Sequence, residues 1–113
     1  MTEIERILRN PDVSERVAIM REEIVRDDHG GQVSTYVERE KIKAVVSPGN
    51  GSSVEVSGQI VGRADYDMMT YVDTNIRTGD RIVREDGEEL DVIAILRITR
   101  VIPHMELQLE RLE

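Results

Sequence analysis

Apolar residues recur with an unambiguous helical spacing at the start of the chain, and beyond residue 26 mostly with a period of two. The opening stretch TEIERILR sets Ile4, Ile7 and Leu8 on one face of a short helix. Thr2 is its candidate N-cap, with Glu5 three residues on, and Asn10-Pro11 ends it. So short a helix is not stable alone in water, so its apolar stripe must dock on this chain's own body or on a neighbour. The following DVSERVAIMREEIVRD fits a helix through Val13, Val17, Met20 and Ile24, with Ser14 as a cap, and also a strand beginning at Val17 and Ile19. The strand is preferred, because RDDHGGQ then reads as a turn into clear β structure.

In GQVSTYVEREKIKAVVSPG, Val33, Thr35 and Val37 share one face, whereas Ile42, Ala44 and Val46 have the opposite parity. A period-two pattern that changes phase predicts a bulge or twist near Glu38 to Lys41. SPGNGSS contains no apolar residue and predicts a mobile loop, taken as residues 47–58, with VEVSGQIVGR extending it as a hairpin arm or forming a strand. In ADYDMMTYVD, Tyr66, Met68, Thr70 and Val72 alternate. Asn75 to Asp80 is a tight connection with Gly79, Ile82-Val83 a short strand, and Asp86-Gly87 a hairpin turn. Leu90, Val92, Ala94, Leu96 and Ile98 predict one buried face, and Ile93 and Ile95 suggest cover on both sides at the start of that strand. After Pro103, Met105, Leu107 and Leu109 alternate with polar residues. Five to seven short strands and one helix, without a βαβ rhythm, predict a mostly β fold: a small barrel or sandwich in a single domain, 1–113, with an N-terminal helical arm over 1–11.

Composition narrows what such a barrel can do. The core lacks Phe and Trp and must be built from Ile, Val, Leu, Met and three tyrosines, which makes assembly with other copies a natural source of added stability. Fifteen basic against 23 acidic residues give a net charge of −8, so the chain has no overall basic footprint for a nucleic-acid backbone. Acidity keeps a small protein soluble, and it also suits a channel wall that must not grip DNA. Without cysteine there are no disulfides or thiolate metal sites. No apolar run approaches the roughly 18 residues of a membrane span and no signal-peptide core is visible, so a cytosolic or intracellularly assembled protein is expected, with no membrane partner.

Candidate chemistry is sparse. Asp27, Asp28 and His29 could ligate a metal, but adjacent residues at a hairpin tip point different ways, and a solvated turn fits better. Asp65 and Asp67 could pair for acid–base work, yet on a strand they more often keep a solvent face polar. Glu85, Asp86, Glu88, Glu89 and Asp91 lack calcium-loop spacing and read as a charged rim that a basic partner could meet. No phosphate-cradling loop, nucleophile elbow or aromatic nucleic-acid platform appears. The expectation is a protein that is not an enzyme and takes no cofactor.

The order RVAIMRE, DDHGGQVSTYVE, IKAVVSPG, a variable arm, MMTYVDTNIRTGDRIVREDGEELDVIAI and HMELQLE resembles that of bacteriophage head–tail joining proteins, also called head closure or head completion proteins. The match runs from about residue 16 to 112 and is strongest over Asn75 to Ile95. It departs at Tyr36 and Ile42-Lys43-Ala44, where family members commonly carry an aromatic and Trp-Ala, and it leaves TEIERILRNPD unmatched.

The resemblance implies a virion structural protein: a small β-barrel in a homo-oligomeric ring beneath the portal, closing the head after DNA packaging and offering the tail a platform. Its partners would be portal or adaptor, tail proteins and DNA passing without sequence-specific contact. Its place would be the head–tail interface of the virion, after the host cytoplasm. Strands from Val33 to Val46 and Leu90 to Val101 would frame the barrel. Pro48, Gly49, Asn50, Gly51, Ser52 and Ser53 would belong to a loop facing the channel. From the residues themselves, and not from the resemblance, Ile4, Ile7 and Leu8 on the helix, and Glu85, Asp86, Glu88 and Glu89 on the rim, are expected to meet neighbours. The alternatives are a tail-completion or tail-terminator ring, a small barrel that captures a protein unconnected with phage, and a metal-dependent enzyme using Asp27, Asp28 and His29.

Overall fold

Six strands close into a barrel in the order β1-β2-β5-β8-β7-β6, every neighbouring pair antiparallel, in a computed structural model that describes residues 2–112. They are β1 Glu15–Arg26, β2 Gln32–Pro48, β5 Tyr66–Thr70, β6 Arg81–Val83, β7 Glu89–Ile98 and β8 His104–Arg111. A separate two-stranded hairpin, β3 Ser53–Val56 and β4 Gln59–Arg63, is inserted between β2 and β5, and helix α1, Glu3–Arg9, precedes them all. Closure leaves the barrel with no free sheet edge along its paired length. Because neighbours alternate in direction, the β1–β2 and β7–β8 turns stand at one rim. The β6–β7 turn and the β3–β4 insertion stand at the other.

The interior is filled by the period-two residues that the sequence pattern marks. Val17, Ile19, Met68, Ile82, Leu90, Val92, Met105, Leu107 and Leu109 are all buried. Each such side chain contributes roughly 1.5–3 kcal/mol by leaving water. Thr70, fully buried among them, satisfies its hydroxyl by donating to the Lys43 carbonyl at 2.8 Å.

The ambiguous second segment is strand β1. Its register against β2 shifts between Ile19, opposite Glu40, and Met20, opposite Glu38, which leaves Arg39 as the extra residue of a bulge within the expected Glu38 to Lys41. Past the bulge the hairpin leaves the wall, since β6 follows β1 only to Met20 and β5 meets β2 only from Val45. The two strands continue as a free ribbon, and the longest dimension of the molecule reaches 52 Å.

A second bulge, at Ile93, corrects the expected face of β7. Val92 pairs with Leu109 but Ala94 with Gln108, so parity flips: Ile95 packs on the core, and Leu96 is 57% exposed. The strand ends at Ile98 rather than Val101, which lies in the following turn with φ of 67°.

Helix α1 is capped as expected, with Thr2 Oγ1 accepting from the Glu5 N–H at 3.1 Å. Ile4 and Leu8 are buried within the chain and the helix packs on β2, so this stripe is covered by its own barrel, with Ile7 half-buried. Ser14 does not cap a second helix. Its hydroxyl donates back to the carbonyls of Leu8 and Asn10, both at 2.8 Å, and fixes the exit into β1.

Candidate functional site

The expected loop over 47–58 is a folded hairpin arm. Ser47 and Pro48 complete β2, opposite Asp67 and Tyr66, and only residues 49–52 lie between strands. Alternation in Val54 to Ile60 and a two-residue turn at Ser57-Gly58, both with positive φ (52° and 81°), make the rest β3–β4. Gly49 N–H donates to the Asp65 carbonyl and Gly51 N–H to the Ala64 carbonyl, each at 2.9 Å, and Ser52 receives the Ala64 N–H at 2.9 Å. Gly49 is required there, because a Cβ would run into the Ala64 carbonyl. Of the channel-loop candidates, Pro48 is thus a barrel residue, Gly49 to Ser52 are the stem, and Ser53 opens β3.

Two carboxylates clamp the arm to β8. Glu110 Oε2 receives the Arg63 N–H at 2.6 Å. Asp65 accepts the Arg111 N–H at 2.9 Å and faces the Arg63 guanidinium at 3.3 Å. The Arg111 backbone N–H, aided by Arg63, holds the Asp65 carboxyl below the usual carboxylate range. Val54 and Ala64 are buried, β3 packs on β7 and β4 on β8. The arm turns Val56, Ile60 and Val61 to solvent, at 46, 67 and 43% exposure. Neither carboxylate is recognisable from local spacing, since each bond joins residues more than forty apart; the isolated Gly62 inside a strand pattern is the signal that marks a close approach.

The acidic rim at the same end is largely occupied with its own fold. Glu85 Oε1 accepts the Arg16 N–H at 2.9 Å, and Asp86 Oδ1 the Glu88 N–H at 2.9 Å. Glu88 lies 3.4 Å from both Arg84 and Arg111. Arg84 also grips Glu15 at 2.7 Å, and this hydrogen-bonded pair raises the guanidinium pKa further. Glu85, Asp86 and Glu89 are exposed, whereas Glu88 is half-buried within the network.

Asp27, Asp28 and His29 sit at the tip of the β1–β2 ribbon. Asp27 Oδ1 accepts the N–H groups of His29 and Gly31, at 2.9 and 2.7 Å, which is turn chemistry. The described residues contain no group of three or more potential metal-ligating side chains. Asp65 is a clamp and Asp67 an exposed residue of β5, so the two do not act as a pair.

Two features have no counterpart in the sequence reading. Arg21 points into the barrel mouth and bonds Asp80 with Nε and Nη2, at 3.0 and 2.9 Å. Asp80, 3% exposed, also receives the Arg77 N–H at 2.9 Å, so one carboxylate ties β1 to the 71–80 connection. On the outer wall, a groove of about 580 Å³ runs across β2, β5, β8 and β7 over Val45, Met69, Ala94 and Leu96, with Asp67 and Glu106 also lining it. Leu96, turned outward by the Ile93 bulge, is one of its lining residues.

The family described as phage head completion protein matches residues 8–111. No curated protein sequence matches the chain. Among solved structures, protein SF1141 from Shigella flexneri 2a is similar with a TM-score of 0.67 at 14% identity, covering 88% of this chain and 92% of that one. A chain in the virion of a native gene transfer agent particle gives 0.59 at 18% identity, covering 91% and 98%. Protein xkdH of the phage-like element PBSX from Bacillus subtilis gives 0.57 at 16% identity, covering 88% and 94%. At these identities the structural likeness establishes the shared fold.

Proposed function

Since this chain belongs to the phage head completion protein family, we propose that it is one protomer of a ring between portal and tail, which closes the head after DNA packaging and carries the tail platform. Its role is that of a structural component in completing the head. The finer reading rests above all on the β3–β4 arm. It is an appendage that the barrel does not need for closure, it is clamped at its stem, and it presents Val56, Ile60 and Val61 outward. A fold that spends clamps on an arm and leaves its apolar tip uncovered has built a contact element.

In this reading the arm reaches the channel and helps to hold the genome, portal and tail proteins bind the two ends, and the net charge of −8 lets DNA pass without adhering. The chain assembles from the host cytoplasm into the virion. That a chain of a gene transfer agent virion has the same fold supports this placement. No step calls for a catalytic residue or cofactor.

The experiment is to replace Ser53 to Gly62 by a short glycine–serine link. The barrel strands should retain their amide dispersion in solution. Particles carrying the variant should form heads that lose their packaged DNA. DNA-filled, tail-bearing particles at the normal yield would remove the arm from head closure. Electron microscopy of the chain mixed with portal should show a ring seated on it; a chain that leaves portal bare would remove the ring.

A further inference from the structure

The two hairpins at the upper rim are opposites in charge and alike in exposed aliphatic surface. Past the bulge the β1–β2 ribbon carries five carboxylates, Glu22, Glu23, Asp27, Asp28 and Glu38, against two arginines, Arg26 and Arg21, the latter paired with Asp80; Glu23 lies 3.8 Å from Arg39 at the bulge. The ribbon leaves Ile24, Val25 and Val33 at 68, 49 and 50% exposure. The β7–β8 turn and the strand residues flanking it, Arg97 to His104, contain no carboxylate. Arg97 donates to the Val72 and Thr74 carbonyls and His104 lies 3.2 Å from Glu106, which leaves Arg100 as the exposed cation of the turn itself. The turn leaves Val101 97% and Ile102 36% exposed.

Topology sets the two apart. In the closed order β1-β2-β5-β8-β7-β6, the β1–β2 pair and the β8–β7 pair are three positions apart around a ring of six, so their hairpins rise from opposite walls at the same rim. Beyond the bulge no strand pairs with the ribbon's outer edges; its base is held by Arg21 on Asp80 and by Tyr36 under Arg81. The part from Ile24 to Val33 is a two-stranded ribbon with exposed aliphatic residues, marginal until it is covered. Val101 is in addition held at φ of 67°, a conformation β-branched residues avoid. Strain and exposure at one residue mark a tip shaped for contact rather than for its own stability.

We propose that copies of this chain join head to tail through these hairpins: the acidic, aliphatic β1–β2 ribbon of one copy lies against the basic, aliphatic β7–β8 turn of the next. A contact between two different surfaces on opposite walls is heterologous, and repeated rotation closes it into a ring. The aliphatic residues supply the buried area, and the opposed charges set register and exclude ribbon-to-ribbon pairing. The inference rests on the ring reading and names the surfaces that form it.

The absence of cysteine makes the contact directly testable. Ile24→Cys and Val101→Cys both replace exposed side chains and leave the core untouched. Particles produced from the phage or prophage genome that encodes the chain would carry both substitutions and be treated with a short bis-maleimide. The expected result is a ladder of covalent dimers, trimers and higher species on a denaturing gel. Each single variant should remain monomeric there. A ring visible by electron microscopy without a ladder overturns the hairpin contact and leaves the ring standing. Crosslinking that stops at dimers, or dimers formed by Ile24→Cys alone, overturns it in favour of a symmetric pair. Particles with the chain present but no ring of it overturn the ring reading and this contact together.

Discussion

The carboxylate of Glu110 lies in the space that a side chain on Gly62 would fill, and from there it receives the N–H of Arg63 at 2.6 Å. Strand β8 therefore holds the projecting arm by occupying a vacancy that only glycine provides. Glu110→Ala should free the arm while sparing the barrel. Loss of a hydrogen bond to a charged acceptor costs about 2 kcal/mol, equivalent to roughly thirtyfold faster amide exchange confined to the arm. Hydrogen exchange resolved by residue checks this; unchanged rates from Val54 to Arg63 would show that the clamp is idle. Gly62→Val should loosen the same segment by steric exclusion of Glu110.

Arg21 and Asp80 form the most buried ion pair of the described residues, with side chains 14 and 4% exposed. Asp80→Ala leaves the guanidinium without its partner and the Arg77 N–H without its acceptor. The expected loss is about 3–5 kcal/mol in urea unfolding. The Arg21→Ala, Asp80→Ala double variant should recover part of that loss, since no unpaired charge then remains. A double variant as unstable as the sum of the two single ones would show that the pair is not coupled.

Leu8 is fully buried although it lies in an eight-residue segment with no strand partner. Because the barrel of the same chain covers it, Leu8→Ala should destabilise the isolated monomer by about 2–5 kcal/mol. Thermal unfolding at a concentration where the chain is monomeric provides the measurement. A melting temperature equal to that of the parent chain would mean that the helix packs only against a neighbour.

The two β-bulges of the barrel wall show why some of this architecture can be read from sequence and some cannot. At Arg39 the flanking strand halves are apolar on opposite parities, Val33-Thr35-Val37 against Ile42-Ala44-Val46, so the extra residue leaves a visible change of phase. At Ile93 the strand is apolar on both parities from Val92 to Leu96, and the same change of phase is silent. The barrel class, the strand order along the chain and the hairpin turns are all set by local alternation and turn chemistry. The clamps at Asp65 and Glu110 and the Arg21–Asp80 pair join residues 46, 47 and 59 positions apart, and charged side chains carry no periodicity that announces a partner. The outer groove takes Leu96 from the strand with the silent bulge and the rest of its lining from that strand and three others, a juxtaposition that local patterning does not announce.

His104 stands at the base of the β7–β8 turn, with Nδ1 donating to the Ile102 carbonyl at 2.7 Å and Nε2 3.2 Å from Glu106 Oε1. Both contacts favour the protonated ring, and the Ile102 bond, with Glu106 in support, raises its pKa above 6.5. A folded-state pKa above the unfolded one adds stability that is fully present below the unfolded value and is lost as pH rises through the folded value. Protection of the Arg100 to Met105 amides should accordingly fall as pH is raised from below 6.5 into the alkaline range, after allowance for the intrinsic exchange rate. His104→Gln should abolish that slope. A parent chain with a flat profile would show that the imidazolium does not brace the turn.

Val101 offers the last test, because strain and exposure there pull stability and assembly in opposite directions. Its φ of 67° lies in the left-handed region, where a β-carbon is crowded against the following carbonyl. Glycine adopts that angle without the clash, and Val101, 97% exposed, has no intramolecular packing to lose. Val101→Gly should therefore stabilise the isolated monomer by about 1 kcal/mol in denaturant unfolding, part of the relief being offset by glycine's greater freedom when unfolded. The same variant removes the aliphatic tip from the contact proposed between copies. Its particles should then be fewer, or release DNA more readily, although the protomer is sturdier. A variant that is more stable and assembles as well as the parent would mean that the strained tip is not a contact residue. One less stable than the parent would mean that the left-handed turn is held by something other than the backbone angle at this position.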